Sequence, residues 1–194
     1  MVGIKRKNPT NQQRRSLRMK GYDYSLEGAY FITLRTHQRL CLFGEVVNGE
    51  IVLNQYGSIA FQQWIRLGNR FKRADFSTFV IMPNHIHGII FIVRGAGEEF
   101  RMDHVQISPL RPYIIPNVTH GSLGAIVRAY KASVTYRINA LHGFTNPPVW
   151  QRNYYDHVIR NEKEYEKIWN YLETNPQNWI EDQLKTYPDL EHQS

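Results

Sequence analysis

Cysteine is nearly missing: Cys41 stands alone among 194 residues, which excludes an intramolecular disulfide and a cysteine-based zinc centre. Long apolar runs are missing too. The strongest, Ile86 to Val93, falls far short of the roughly 20 residues that a membrane-spanning helix needs. The N-terminus has no apolar core of the signal-peptide kind, and there are no repeats at solenoid periods. Residues 1–20 contain no acid at all. These absences predict a cytoplasmic protein with no membrane partner, held in a reducing compartment.

What is present suits an ordinary globular domain, with 42% hydrophobic and 21% charged residues. A chain of this length buries roughly 70% of its unfolded surface, enough for a real core. The net charge of +7 is unevenly placed. Residues 1–20 carry seven basic groups, Arg14, Arg15 and Arg18 among them, whereas residues 161–194 carry three basic and eight acidic groups. The chain therefore divides into a flexible basic arm (1–20), one domain (21–178) and an acidic tail (179–194). A basic arm favours a polyanion, most simply nucleic acid, through counterion release and steering. The competing reading is a solvated terminus with no partner.

Local pattern gives the elements. Ala29 to Thr36 is aromatic and β-branched, a strand. Asn48-Gly49 between short apolar runs in Leu40 to Leu53 predicts a hairpin. Ile59, Ala60, Trp64 and Leu67 fall at helical spacing within Tyr56 to Leu67. Phe76 to Met82 and His85 to Val93 are strands joined tightly through Pro83-Asn84. Both are apolar on two faces, so they are central and covered by helices on at least one side. Residues 95–119 have no period and read as an insertion loop. Ser122 to Leu141 sets Leu123, Ile126, Val127, Tyr130, Val134 and Ile138 on one helical stripe. Val149 to Arg160 reads as the fourth main strand. Asn161 and Glu164 then form a capping box on a last helix that Pro176 stops. The succession predicts an α+β fold: a ferredoxin-like βαββαβ sandwich with an antiparallel sheet, an extra small hairpin and an additional C-terminal helix carrying a tyrosine.

Chemistry concentrates at His85 and His87. Strand residues two apart project from the same face, so the imidazoles leave the backbone side by side at a sheet end, spaced to chelate one divalent cation. The other reading is a polar start to a buried strand with two hydrogen-bonded histidines. On the last helix Tyr171 and Asn175 are four apart and share a face, while Tyr165, Ile168 and Leu172 can supply the packing. A neutral phenol is a weak nucleophile unless activated. A cation on His85 and His87 would polarise a phosphate, and the Asn175 amide oxygen would add the hard ligand that magnesium or manganese prefers. Together these groups assemble phosphoryl transfer to Tyr171. Read singly, Tyr171 is a half-buried aromatic and Asn175 a helix-end residue before proline.

Tyr154 and Tyr155 compete for the nucleophile's role. Asp156 and His157 form either a surface dyad or a pair supporting the metal histidines. His104 and His120 have no partner at ligand spacing. Arg128, Lys131, Arg137 and Arg152, with the basic arm, are candidate phosphate contacts.

Four segments in this order carry a likeness: GYDYSLEGAYFITL (Gly21 to Leu34), MPNHIHGII (Met82 to Ile90), LGAIVRAYKASVTYRI (Leu123 to Ile138) and VWQRNYYDHVIRNEKEYEKIWNYLETNP (Val149 to Pro176). The chain resembles the REP-associated tyrosine transposases, within the HUH superfamily of single-strand DNA transposases. The resemblance implies a magnesium- or manganese-dependent endonuclease and strand transferase. It implies that His85, His87 and Asn175 hold the metal and that Tyr171 forms a 5′-phosphotyrosine link. Some relatives carry glutamine at the position of Asn175. The implied partner is single-stranded DNA with a hairpin or palindrome, bound by a monomer or homodimer at the nucleoid. The alternative function is a non-catalytic, single-stranded nucleic-acid-binding module of the same fold. That reading lacks the sequence signature of RNA-recognition domains and leaves the histidine pair without a use.

Overall fold

In a computed structural model, which describes residues 22–93, 121–142 and 148–179, the elements follow the expected succession. They are β1 (Gly28–Arg35), β2 (Gly44–Val47), β3 (Glu50–Leu53), α1 (Gln55–Ile65), the helical turn α2 (Leu67–Arg70), β4 (Ala74–Met82), β5 (His85–Ile92), α3 (Leu123–His142), β6 (Tyr155–Ile159) and α4 (Glu162–Thr174). Four strands form an antiparallel sheet in the order β4-β5-β1-β6, and β2 pairs separately with β3. The unit β1-α1-β4-β5-α3-β6 is thus a βαββαβ succession, with a hairpin inserted after its first strand and α4 added at its end. No helix among the described residues is long and apolar enough to cross a membrane.

Local chemistry explains the punctuation. Asn48 and Gly49 both adopt left-handed φ, 53° and 79°, the backbone of a hairpin turn that matches strand twist. Asn54 caps α1 by accepting hydrogen bonds from the Tyr56 and Gly57 amides at 2.9 and 3.0 Å. Asn161 caps α4 by accepting from the Glu164 amide at 2.9 Å. The reciprocal bond differs from a strict capping box: Glu164 Oε2 accepts from the Arg160 amide, one residue before the cap, at 2.7 Å.

Alternation along β1 and β5 sends side chains to two separate cores. Tyr30, Ile32, Leu34, Ile86 and Ile90 face α1 and α3, where Trp64, Ile126, Tyr130 and Val134 meet them. Ala29, Phe31, Ile89 and Phe91 face the opposite way, onto Ile168 and Leu172 of α4. The sheet is therefore covered on both faces, and each such side chain fully buried contributes about 1.5–3 kcal/mol. Trp64 fixes the height of α1: its indole N–H donates to the Phe76 carbonyl at 2.9 Å. Its ring lies on Gly88, where an added Cβ would come within 2.5 Å of the indole, so glycine is required there.

One expectation is corrected. The fourth main strand is shorter than Val149 to Arg160, because only Tyr155–Ile159 is strand. Upstream there is one isolated bridge, Thr36 to Trp150. Gln151-Arg152-Asn153 offers no apolar side chain to either core, and Asn153 turns to a left-handed φ of 71°, which ends extended pairing. Trp179, at the end of the described residues, is 8% exposed and packs into the fold. The arm over 1–20, the insertion over 95–119 with His104, His120 beside it, and residues 180–194 lie outside the described residues.

Candidate active site

The α4-facing side of the sheet grades from apolar to polar. Register pairs Ala29 with Phe91, Phe31 with Ile89, Thr33 with His87 and Arg35 with His85. Ile168 and Leu172 of α4 seat on the apolar end. Further along the same helix face, Tyr171 and Asn175 meet the polar end. The Tyr171 hydroxyl lies 3.2 Å from His87 Nε2. The imidazoles of His85 and His87 are 4.4 Å apart between centroids. Tyr171 stands edge-on to Phe31, 6.4 Å between centroids, and Asn175 is buried, 1% exposed. Trp179 closes the far side of His85 at 6.0 Å between rings.

Neighbouring groups set the orientation of both imidazoles. His85 Nδ1 is 2.7 Å from Asn84 Oδ1. A carboxamide oxygen only accepts, so Nδ1 carries the proton and Nε2 presents its lone pair. His87 Nδ1 is 2.8 Å from Thr33 Oγ1, and the ring also bonds to the adjoining Ile32 backbone. With Nδ1 engaged there, Nε2 of His87 accepts from the Tyr171 phenol.

Burial keeps both rings neutral. Desolvation first, then the guanidinium groups of Arg35 and Arg39, hold His85 down to about 3, and the Asn175 side chain beside it opposes this. Desolvation first, then His85 and Arg35, hold His87 well below its ordinary value, against the bond to Ile32. Neutral imidazole is the form that ligates a metal.

Among the described residues no group of three or more His, Cys, Asp or Glu side chains converges. The available donor set is two imidazole nitrogens and one amide oxygen. Asn175 Oδ1 is buried and no hydrogen-bond donor among the described residues reaches it. Such an acceptor ordinarily costs about 1–3 kcal/mol. Beside two neutral imidazoles it fits a divalent cation that keeps further positions for water and substrate oxygens.

The remaining expected residues fall elsewhere. Arg128 and Arg137 are exposed on α3, whose buried stripe joins the core on the other side of the sheet. Lys131 commits its ammonium to the carbonyls of Gln151 and Asn153, at 2.9 and 2.6 Å. Arg152 is exposed in the segment before β6. The three on α3 lie across the sheet from Tyr171. Arg14, Arg15 and Arg18 lie outside the described residues. Tyr155 packs on the α4 side, 6.3 Å from the Phe31 ring, and Tyr154 against the other core.

Asp156 and His157, being adjacent on a strand, do not pair. Asp156 lies opposite Ile32 and is buried. His157 Nε2 instead meets Glu164 Oε1 at 2.7 Å, tying the first turn of α4 to β6. Sequence reasoning missed Thr33, Arg35, Arg39 and Trp179. Thr33 and Arg35 follow from Phe31 by strand alternation, but only the register with β5 shows which histidine each one meets.

No protein-family model matches the chain. An uncharacterised protein of Haemophilus influenzae is 40% identical over 172 residues, which span 88% of this chain and 92% of that protein. The chain belongs to the same family as that protein. Among solved structures, a REP-associated tyrosine transposase bound to a REP hairpin superimposes with a TM-score of 0.51 at 17% identity. That alignment covers 95% of this chain and 93% of the other. The two share a fold.

Proposed function

We propose that this chain, within the family it shares with the Haemophilus influenzae protein, is a metal-dependent single-strand DNA endonuclease and strand transferase. In this reading it is a transposase that acts at hairpin or palindromic DNA through a 5′-phosphotyrosine intermediate. One observation carries the reading: the Tyr171 hydroxyl meets His87 Nε2 at 3.2 Å, on a face that also holds His85 and Asn175. The fold shared with a REP-associated tyrosine transposase supports it. All of these groups are contributed by one chain.

Each residue has a defined task. Half-buried on α4, Tyr171 has its aromatic body held by Phe31 and His87 while its oxygen faces an approaching phosphodiester. The phenol proton passes to water as the oxygen attacks phosphorus. The bond from phosphorus to the 3′ oxygen breaks, and that oxygen takes up a proton and departs as a hydroxyl. The 5′ phosphate remains on Tyr171 as a diester. Attack by another strand's 3′-hydroxyl reverses these steps, joins the strands and restores the phenol. One bond is made for each one broken, so no external energy source is needed.

His85, His87 and Asn175 are the residues that would hold Mg2+ or Mn2+, and the bound cation supplies Lewis-acid polarisation of the phosphate. Asn84 and Thr33 hold the two imidazoles in the tautomer that leaves each Nε2 unprotonated; the His87 lone pair that accepts from the Tyr171 phenol is the one that a cation on His87 would take.

The test is incubation of the protein with a labelled, hairpin-bearing single strand and Mn2+, followed by a denaturing gel. The expected result is a covalent adduct that Tyr171→Phe abolishes. Cleavage surviving in Tyr171→Phe would mean a water nucleophile and an ordinary nuclease. Binding by the wild type without any adduct would mean the non-catalytic module.

A further inference from the structure

We propose that Arg35 and Arg39 form a phosphodiester-binding site on the β1 side of the histidine pair, which grips non-bridging oxygens of the single-stranded DNA backbone beside Tyr171. This rests on the function proposed above and adds residues that the histidine, tyrosine and asparagine set does not contain.

Arg35 ends β1 on the α4-facing side and is the direct cross-strand partner of His85. Directly opposed residues in an antiparallel pair have Cβ atoms roughly 4.5–5.5 Å apart. The preceding residues on that face, Phe31 and Thr33, are buried, whereas Arg35 is half-exposed. The guanidinium therefore stands where the face opens.

The loop that bears Arg39 is anchored beside His85 from a separate direction. It is stitched to the turn that precedes His85. The Thr36 amide and hydroxyl both donate to the Asn84 carbonyl at 2.9 Å, and the Phe43 amide donates to the Pro83 carbonyl at 3.0 Å. Thr36, 0% exposed, also shares its hydroxyl with the Leu40 carbonyl at 2.8 Å. The side chain of Asn84 in turn holds His85. One turn thus carries both the imidazole and the loop that bears Arg39. Within that loop Gln38 and Arg39 take left-handed φ values of 53° and 57°, a conformation that L-residues rarely adopt in succession. Both arginines act electrostatically on His85.

The chemistry names the ligand class. Apart from the cation they would hold, two neutral imidazoles, a phenol and an amide bring no charge of their own to meet a phosphodiester anion. Two guanidinium groups do, and their planar forks match pairs of phosphate oxygens. The phosphate contacts expected on α3 lie across the sheet, whereas Arg35 stands opposite His85 and Arg39 on the loop anchored to the turn before it.

The experiment is fluorescence anisotropy of a labelled single-stranded hairpin oligodeoxynucleotide in EDTA, titrated with wild type, Arg35→Gln, Arg39→Gln and Arg35→Lys over a series of KCl concentrations. Each glutamine variant is expected to weaken binding roughly tenfold and to flatten the plot of log affinity against log salt by about 0.7–0.9, the loss of one phosphate contact. Arg35→Lys is expected to keep the slope but to slow adduct formation in Mn2+, because an ammonium cannot hold two oxygens in one plane. Circular dichroism melting checks the folding of each variant. Should Arg35→Gln fail to fold, Arg39→Gln decides, because its side chain is exposed.

Wild-type affinity and slope in the folded glutamine variants would overturn the site. If Tyr171 still forms its adduct in those same variants, the proposed function stands without it. Arginine-dependent binding with no adduct would keep the site and sink the function. No binding by the wild type would overturn both.

Discussion

Thr33 Oγ1 lies 2.8 Å from His87 Nδ1, and the opposite nitrogen of the same ring lies 3.2 Å from the Tyr171 hydroxyl. A threonine on β1 therefore sets the imidazole that faces the nucleophile. Thr33→Val keeps the volume and removes the hydrogen bond. Mn2+ affinity by isothermal titration and the rate of adduct formation are expected to fall by roughly 10- to 100-fold. Global stability in urea is expected to fall by only about 1 kcal/mol. Thr33→Ser restores the hydroxyl and is expected to restore the affinity. A serine variant as impaired as the valine variant would mean that Thr33 only fills space.

Gly88 follows His87 on β5, and its Cα lies against the Trp64 indole. Gly88→Ala forces the ring off its bond to the Phe76 carbonyl or pushes β5 away from α1. Overpacking of this kind costs about 1–3 kcal/mol, read as a lower urea midpoint at unchanged slope. In a Trp64→Leu background the same glycine-to-alanine change is expected to cost less than in the wild type. An equal cost in both backgrounds would contradict the contact.

Lys131 supplies the pH dependence. Burial lowers its ammonium to about 8 from its ordinary 10.5, while a neutral amine still has two N–H groups for the carbonyls of Gln151 and Asn153. The unfolded chain holds this proton up to its ordinary value and the folded chain releases it near pH 8. Between the two, unfolding takes up a proton and stability rises with pH. Below pH 8 both states are charged and the contribution is flat. Subtracting the urea stability of Lys131→Met from that of the wild type is expected to leave a difference that grows from pH 8 upward. A flat difference would place the titration elsewhere.

The elements were legible where sequence and backbone chemistry coincide. Asn48-Gly49 and Asn161 mark a turn and a helix start by mechanisms that need no tertiary partner. The tight passage through Pro83-Asn84 joins β4 to β5 with the histidines at the head of β5. Reading Val149 to Arg160 as one strand failed because its apolar ends hide a middle that neither core accepts.

The site was half legible. Two imidazoles at alternate strand positions and a tyrosine four residues from an asparagine can be read along the chain. That α4 lies across the second face of the sheet, with Ile168 and Leu172 beneath it, sets Tyr171 over His87, and this is a matter of packing. Thr33, Arg35 and Trp179 reach the site only through strand register and through a turn beyond the last helix, which no local pattern encodes.

The central claim is that Tyr171 is the nucleophile, and mapping the covalent link tests it most directly. The protein is reacted with a hairpin-bearing single strand in Mn2+, digested with nuclease and protease, and the modified peptide is sequenced by mass spectrometry. The account predicts a nucleotide phosphate on Tyr171, attached through its 5′ position. A link at Tyr154 or Tyr155, or cleaved DNA with no protein-bound nucleotide, would contradict it.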